Sequence, residues 1–300
     1  MPYLERGFLP QHDPLLKLPD SLAPWDHLAS ELPKLLVGNC VRSAIDKMPP
    51  FDTTPLKTEA EWERAMLILS FLGQAYVWGS PEMVTQIPAV LAVPWHAVAT
   101  KLQRHPILSY ASYALHNFRR LDPEGEVVIG NIVLIQNFLG GIDEEWFILI
   151  HVDIEAKAKE GLNALLPAQA AVTRGDDDAL ILCLSQIAHS LTAMCETLDA
   201  MPRNCDPYIY FTRVRPYIHG WKNNPALPSG MIYEGVSEYQ NLPQKFRGET
   251  GAQSSIIPSL DAALTVTHED DPLKRYLMEM REYMPKADRA FIEQLESGAS

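Results

Sequence analysis

At 300 residues, with 47% hydrophobic and 21% charged side chains, the chain can bury a sizeable core and has the make-up of an ordinary globular protein. Its 38 acidic against 25 basic residues give a formal net charge of -13, which disfavours nucleic-acid or anionic-membrane surfaces and favours a small-molecule partner. Four cysteines with no C-x-x-C pair argue against a zinc cage or a redox dithiol and suggest a reducing compartment. Residues 1–6 lack the apolar core of a signal peptide, and the uncharged runs 83–100 and 127–142 are broken by Pro, Gln, Asn or Gly. A cytoplasmic protein with no membrane partner is the expectation.

In chain order, eight prolines between Pro10 and Pro55 predict extended pieces and short helices. Thr58 three residues before Glu61 is a capping-box spacing; it predicts a helix running towards Trp78, ended by Gly79-Ser80-Pro81. Residues 87–95, bounded by prolines, read as a connector, and 107–118 as a helical surface with Tyr110, Tyr113, Ala114 and Asn117 on one face. Residues 127–135 are the best strand candidate, without an evident partner. Gly140-Gly141 before an acidic helix start suggests a domain boundary. Residues 146–156 read as helix because Phe147, Ile150, His151 and Ile154 share a stripe. Asp176-Asp177-Asp178 opens a long helix with a seam of Leu180, Leu184, Ile187, Leu191, Cys195 and Leu198. Asp206-Pro207 and Asp271-Pro272 open two more, and Asp288 reads as the cap of a last segment, 289–295. With no clear hairpin and no internal repeat, the fold class is mostly α.

No H-E-x-x-H, G-x-S-x-G, Walker-type or G-x-G-x-x-G motif occurs, so hydrolase and nucleotide readings lose their usual support. The stretch 208–255 instead crowds aromatics around Arg213 and Arg215 and leads into a Gly/Thr/Ser loop, which suits a ligand pocket or an ordinary core helix and solvent loop. An arginine among Tyr210, Phe211 and Tyr217 is costly to bury without an anion: a ligand carboxylate or one of the chain's own Asp/Glu would satisfy it, the second being the simpler reading. His151, in mid-stripe, is either a hydrogen-bonded core histidine or a functional one.

Gly7-Phe8-Leu9-Pro10, Ala75-Tyr76-Val77-Trp78, Pro106-Ile107-Leu108-Ser109-Tyr110-Ala111, residues 215–225, Tyr233-Glu234-Gly235, Gln253-Ser254-Ser255 and Met280-Arg281-Glu282-Tyr283-Met284-Pro285 occur in order along the chain. In these the chain resembles the indoleamine 2,3-dioxygenase family, haem enzymes that open the indole ring of tryptophan. The resemblance implies a small N-terminal domain, 1–139, capping a larger all-α helical haem-type domain, 140–300, incomplete at its C-terminus. It implies haem b as cofactor, L-tryptophan or another indoleamine and dioxygen as partners, and N-formylkynurenine as product.

It also implies roles. Phe147 and Tyr210 lie over the substrate, Tyr110 and Tyr113 at the pocket wall, and Arg215 on the amino-acid carboxylate. Thr250 lies near substrate and a haem propionate, and Asp261 is a proximal-side carboxylate. His151, where mammalian members look to have serine, would meet the indole N–H or dioxygen as the catalytic side chain. Tyr113 and Tyr210 depart from the residues expected there, so side-chain specificity could differ. The family's proximal histidine falls beyond residue 300, so no metal ligand is assigned, and His268 matches no ligand position. A second class therefore stays open, a truncated, inactive, haem-free homologue or an indole-binding protein. A truncated chain would leave an exposed apolar groove at Ile256, Leu260 and Leu264.

Overall fold

The computed structural model describes residues 4–298, and it is mostly helical as expected. After a short strand β1 (Glu5–Phe8), three small helices, α1 (Ala23–Ser30), α2 (Leu32–Val37) and α3 (Val41–Ile45), wrap one side of the long helix α4 (Glu59–Trp78). The capping box is present: the Thr58 hydroxyl accepts from the Glu61 amide at 3.3 Å, and the Glu61 carboxylate accepts from the Thr58 amide at 2.7 Å. Most of α4 is buried on all sides, so it serves as the axis of the core rather than as an amphipathic surface helix.

Residues 87–95 are not a connector. A two-residue strand β2 (Gln86–Ile87) leads into helix α5 (Ala89–Lys101), which carries Pro94 inside it. Burial of Leu91, Trp95 and Val98 against α4 outweighs the backbone hydrogen bond that proline removes. The Trp95 ring lies so close to Gly73 that a Cβ there would come within 2.2 Å of it, and only glycine lets the two helices approach this far. Residues 107–118 form a wide π-type turn, Ala111–Leu115, buried throughout, rather than a regular helix. The strand expected at 127–135 is shorter, β4 (Ile132–Leu134), and its partner is β3 (Phe118–Arg120), antiparallel with Phe118 opposite Leu134.

Helix α6 (Ile142–Lys157) follows Gly141, and buried Glu144 folds back to accept from the amides of Phe138 and Leu139 at 2.6 and 2.9 Å. Helix α7 (Lys159–Arg174) and helix α8 (Asp177–Asp199) form an antiparallel pair. Asp176 caps α8 by accepting from the Ala179 amide at 3.1 Å. The seam of α8 is displaced from the one read in sequence: Cys183, Ile187, Ser190, Met194 and Thr197 are buried, while Leu184, Cys195 and Leu198 are exposed. Close contact at Gly161, where a Cβ would lie 2.9 Å from Ser190 Cβ, pins α7 to that small-residue face. By length and composition alone the stretch 177–203 would also span a bilayer, but its inner face is used against α6 and α7.

Asp206 caps a single helical turn, α9 (Pro207–Ile209), which opens into a wide turn Tyr210–Val214 and a tight turn Arg215–Ile218. A further short strand, β5 (Ile232–Tyr233), pairs in parallel with β2. Helix α10 (Ile256–Ala263), helix α11 (Pro272–Arg281, capped by Asp271) and helix α12 (Lys286–Gly298) complete the chain. Asp288 does not cap α12. It sits within that helix, buried, and accepts from the Ser255 hydroxyl at 3.1 Å.

Two apolar clusters hold these elements. The larger surrounds α4 and α5 and draws in Phe138, Ile148, Tyr210, Trp221 and Met280, thus residues from both sides of Gly140-Gly141. The smaller joins Phe8, α7, α8, α10 and Leu295. Ile256 and Leu260 belong to it and are buried alongside the chain's own Leu162, Ile187 and Met194, which corrects the groove expectation at those two positions. Leu264 is exposed, and the open apolar surface of α10 lies on the face carrying Ile257.

Candidate functional site

The stretch 208–255 folds back on itself. The amides of Trp221 and Lys222 both donate to the Phe246 carbonyl, at 2.8 and 2.9 Å, and the Glu249 amide donates to the Ile218 carbonyl at 3.1 Å. The crossing is possible because glycines meet: a Cβ on Gly248 would lie 2.2 Å from the Ile218 carbonyl oxygen and 2.4 Å from the Gly220 nitrogen. The turn bearing Arg215 and the loop bearing Thr250 are thereby clasped together. Gly248→Ala is expected to destabilise the fold by about 1–3 kcal/mol, the usual cost of overpacking against backbone. An unchanged denaturation midpoint would show that the clasp is not required.

The same loop is tied to the rest of the site. Gln253 accepts from the Tyr110 amide at 2.9 Å and donates to the Gly248 carbonyl at 2.9 Å. Ser254 and Tyr110 both donate to one oxygen of Glu155, at 2.7 and 2.9 Å, while its other oxygen is buried without a partner. Desolvation pushes the Glu155 carboxyl up to about 7 despite those two hydrogen bonds.

Around this frame lies an aromatic cluster. Phe147 stacks on Tyr210, centroids 4.0 Å apart, and meets the His151 ring at a tilt of 44° and 4.5 Å; Tyr110 meets His151 edge-on at 5.9 Å. His151 Nδ1 is 2.8 Å from the Phe147 carbonyl. A carbonyl only accepts, so Nδ1 carries the proton and Nε2 is left with a lone pair, close to Gly251, where a Cβ would lie 3.9 Å from it. Burial lowers the His151 pKa and keeps the ring neutral. Tyr113 stacks on Phe71, which stacks on Phe138 and so connects the cluster to the core. The hydroxyls of Tyr113 and Tyr210 are buried and lie near each other, and neither completes a hydrogen bond, an arrangement that a bound polar group would relieve.

Arg215 is exposed, and among the described residues no carboxylate lies within 4.0 Å of its guanidinium. The salt bridge that the residues alone favoured is absent, and the guanidinium is free for a ligand. Arg213 is exposed as well, and the intervening Val214 is buried, as expected for residues two apart on a turn.

Sequence reading missed Glu249. It is half-buried beside Thr250, and desolvation pushes its carboxyl up to about 8 against the pull of nearby Arg215. Through space it helps to raise the pKa values of Tyr110, Tyr113 and Tyr210, so it lies on their side of the site. A lone glutamate between two glycines carries no periodic or motif signal; only the fold brings it to the tyrosines. Thr250 itself caps the turn Gly251–Gln253, accepting weakly from the Ala252 amide at 3.4 Å.

Beyond Gly251 opens a cavity of about 490 Å³ between α10 and α11. Ile257, Ala262, Val266, Leu277 and Met278 make it mainly apolar, with Lys274 and Arg281 also on its lining. Asp261 lines it too and is hydrogen-bonded to His268 Nε2 at 2.8 Å. An apolar slot of this size fits a flat apolar ring; of the two cations on its lining, Arg281 is paired with Glu296 at 2.6 Å. The sequence-assigned residues thus divide: Tyr110, Tyr113, Phe147, His151 and Tyr210 converge with Glu249, Arg215 stands beside them, Thr250 bridges, and Asp261 belongs to the adjoining cavity.

Comparison with known proteins agrees. The indoleamine 2,3-dioxygenase family profile matches residues 3–300. The chain is 36% identical to indoleamine 2,3-dioxygenase 2 of Homo sapiens over 99% of its own length and 72% of that protein's. It is 38% identical to indoleamine 2,3-dioxygenase 1 of Rattus norvegicus over 97% and 72%. Against the Saccharomyces cerevisiae indoleamine 2,3-dioxygenase it is 33% identical over 97% and 68%. The clasped loop, the aromatic cluster and the adjoining apolar cavity therefore belong to a member of the indoleamine 2,3-dioxygenase family.

Proposed function

We propose that the chain is an oxidoreductase that opens the indole ring of L-tryptophan with dioxygen, giving N-formylkynurenine, and that it uses haem b. The observation that carries this is the juxtaposition of an unpaired Arg215 with the Phe147–Tyr210–His151 aromatic cluster. The guanidinium matches an amino-acid carboxylate, and the stacked rings match an indole. The apolar cavity between α10 and α11 would hold the haem, with Lys274 placed for a carboxylate and Asp261 on its lining. When bound, haem supplies the activation of dioxygen that no side chain can provide.

The protein's own contribution is positioning and exclusion of water. Arg215 would fix the substrate carboxylate, Phe147 and Tyr210 the plane of the indole, and the His151 Nε2 lone pair would accept from the indole N–H. A His151 held neutral can do this; a protonated one has no acceptor left. Locking of the 246–255 loop by Gln253 and Ser254 keeps the pocket wall in place. The test is a turnover assay with haem, reductant, L-tryptophan and oxygen-18 gas. N-formylkynurenine carrying both heavy atoms is the expected product. Tight tryptophan binding without this product would favour the second reading, an indole-binding protein.

A further inference from the structure

The ionisable group least explained by the mechanism above is Glu249. It lies in the loop clasped against the Arg215 turn through its amide bond to Ile218, 3.1 Å, so the two side chains share one corner of the site. Among the described residues neither is paired: no carboxylate is within 4.0 Å of Arg215, and the Glu249 carboxyl accepts no hydrogen bond. The buried hydroxyls of Tyr113 and Tyr210 lie near one another without a full hydrogen bond, and burial, with Glu249 nearby, pushes both tyrosines up. Elsewhere in the chain, buried carboxyls find donors. Glu144 takes three amides, Glu155 two hydroxyls and Asp288 the Ser255 hydroxyl. A cation and an acid held near each other without closing on one another match the two charges of an α-amino acid zwitterion.

We infer that Glu249 recognises the α-ammonium group of the substrate while Arg215 takes its carboxylate, so that the site selects zwitterionic amino acids over their desamino or decarboxylated analogues. This rests on the amino-acid reading of the site given above. An ammonium donates three hydrogen bonds, and the Tyr113 and Tyr210 oxygens can accept those that Glu249 leaves over. Binding would also carry a proton signature. The free Glu249 carboxyl is pushed up to about 8 and keeps its proton at neutral pH; an arriving ammonium favours the ionised form and expels it. Of the other groups near it, the three tyrosines are pushed up by burial, and His151 and His219 are pushed down.

The experiment is calorimetric titration of the haem-supplied protein with L-tryptophan, tryptamine and indole-3-propionate. It is run on wild type and Glu249→Gln, in two buffers of different ionisation enthalpy near neutral pH. The expected result is a loss of about tenfold or more for L-tryptophan and tryptamine in the variant, the loss of a charge-assisted contact. Indole-3-propionate, which has no ammonium, should be held as well as before. In wild type, L-tryptophan should release close to one proton and indole-3-propionate none; this second readout stands even if the variant does not fold. Equal losses for all three ligands, unchanged affinity, or no proton release with L-tryptophan overturns the role of Glu249 while leaving tryptophan binding intact. Failure of wild type to bind any of the three overturns the amino-acid reading itself.

Discussion

Arg215→Ala is expected to weaken L-tryptophan binding by about 10- to 100-fold, the range for removing hydrogen bonds to a charged group, with haem retained. The argument is the absence of any competing anion. Arg215 is exposed and has no carboxylate within 4.0 Å among the described residues, so removing it orphans no internal partner and should scarcely affect stability. The loss should therefore fall on the ligand. Arg215→Lys should recover only part of it, since an ammonium lacks the planar fork that holds a carboxylate at two points. Titration calorimetry measures the affinity and the visible absorption spectrum the haem content. Unchanged affinity in Arg215→Ala would sink the assignment, and loss of haem would move Arg215 into the cofactor site.

Stability should fall as pH rises through the range between about 4.5 and 7, and Glu155→Gln should remove much of that fall. Below about 4.5 the carboxyl is protonated in both folded and unfolded chains, and no difference arises. Between the two values the unfolded chain gives up the proton while the folded one retains it, so the folded state binds more protons and loses ground as pH increases. Above about 7 both states are ionised and the loss is constant at about 3 kcal/mol, the span from 4.5 to about 7 converted to free energy. Glutamine keeps an oxygen for Tyr110 and Ser254 and has no proton to lose. Urea denaturation at about pH 5 and about pH 8 reads the difference directly: relative to wild type the variant should gain stability at the higher pH. Parallel behaviour of the two proteins would show that Glu155 ionises freely. Glu249 and Asp288, also pushed up by burial, act in the same sense and would leave a residual slope in the variant.

The helix starts were legible because capping is settled within four residues. Thr58 with Glu61, Asp176, Asp206 and Asp271 each satisfy amides of their own first turn, and the chain reads these out locally. Asp288 failed the same reading because Ser255, 33 residues earlier, supplies a donor inside the core and draws the carboxyl inward. The α8 seam was displaced because that helix carries apolar residues on more than one face. Periodicity alone cannot choose between Leu184 and Cys183; the close approach of Gly161 to Ser190 does. α5 was missed because Pro94 reads as a helix breaker, and its tolerance depends on Trp95 packing over Gly73.

The site divides along the same line. Sequence by itself determined the mostly helical class, the family, and the identities of Arg215, Tyr110, Tyr113, Phe147, His151, Tyr210, Thr250 and Asp261 as residues to watch. It did not determine that Arg215 is unpaired, that His151 offers Nε2 rather than Nδ1, or that Glu249 joins the tyrosines. Those facts depend on contacts such as Tyr110 with Gln253, 143 residues apart, and Glu155 with Ser254, 99 apart. Ionisation and hydrogen-bond capacity are set by what surrounds a group after folding. Chain chemistry supplied the functional groups, and the crossing of Gly220 and Gly248 decided which of them face one another.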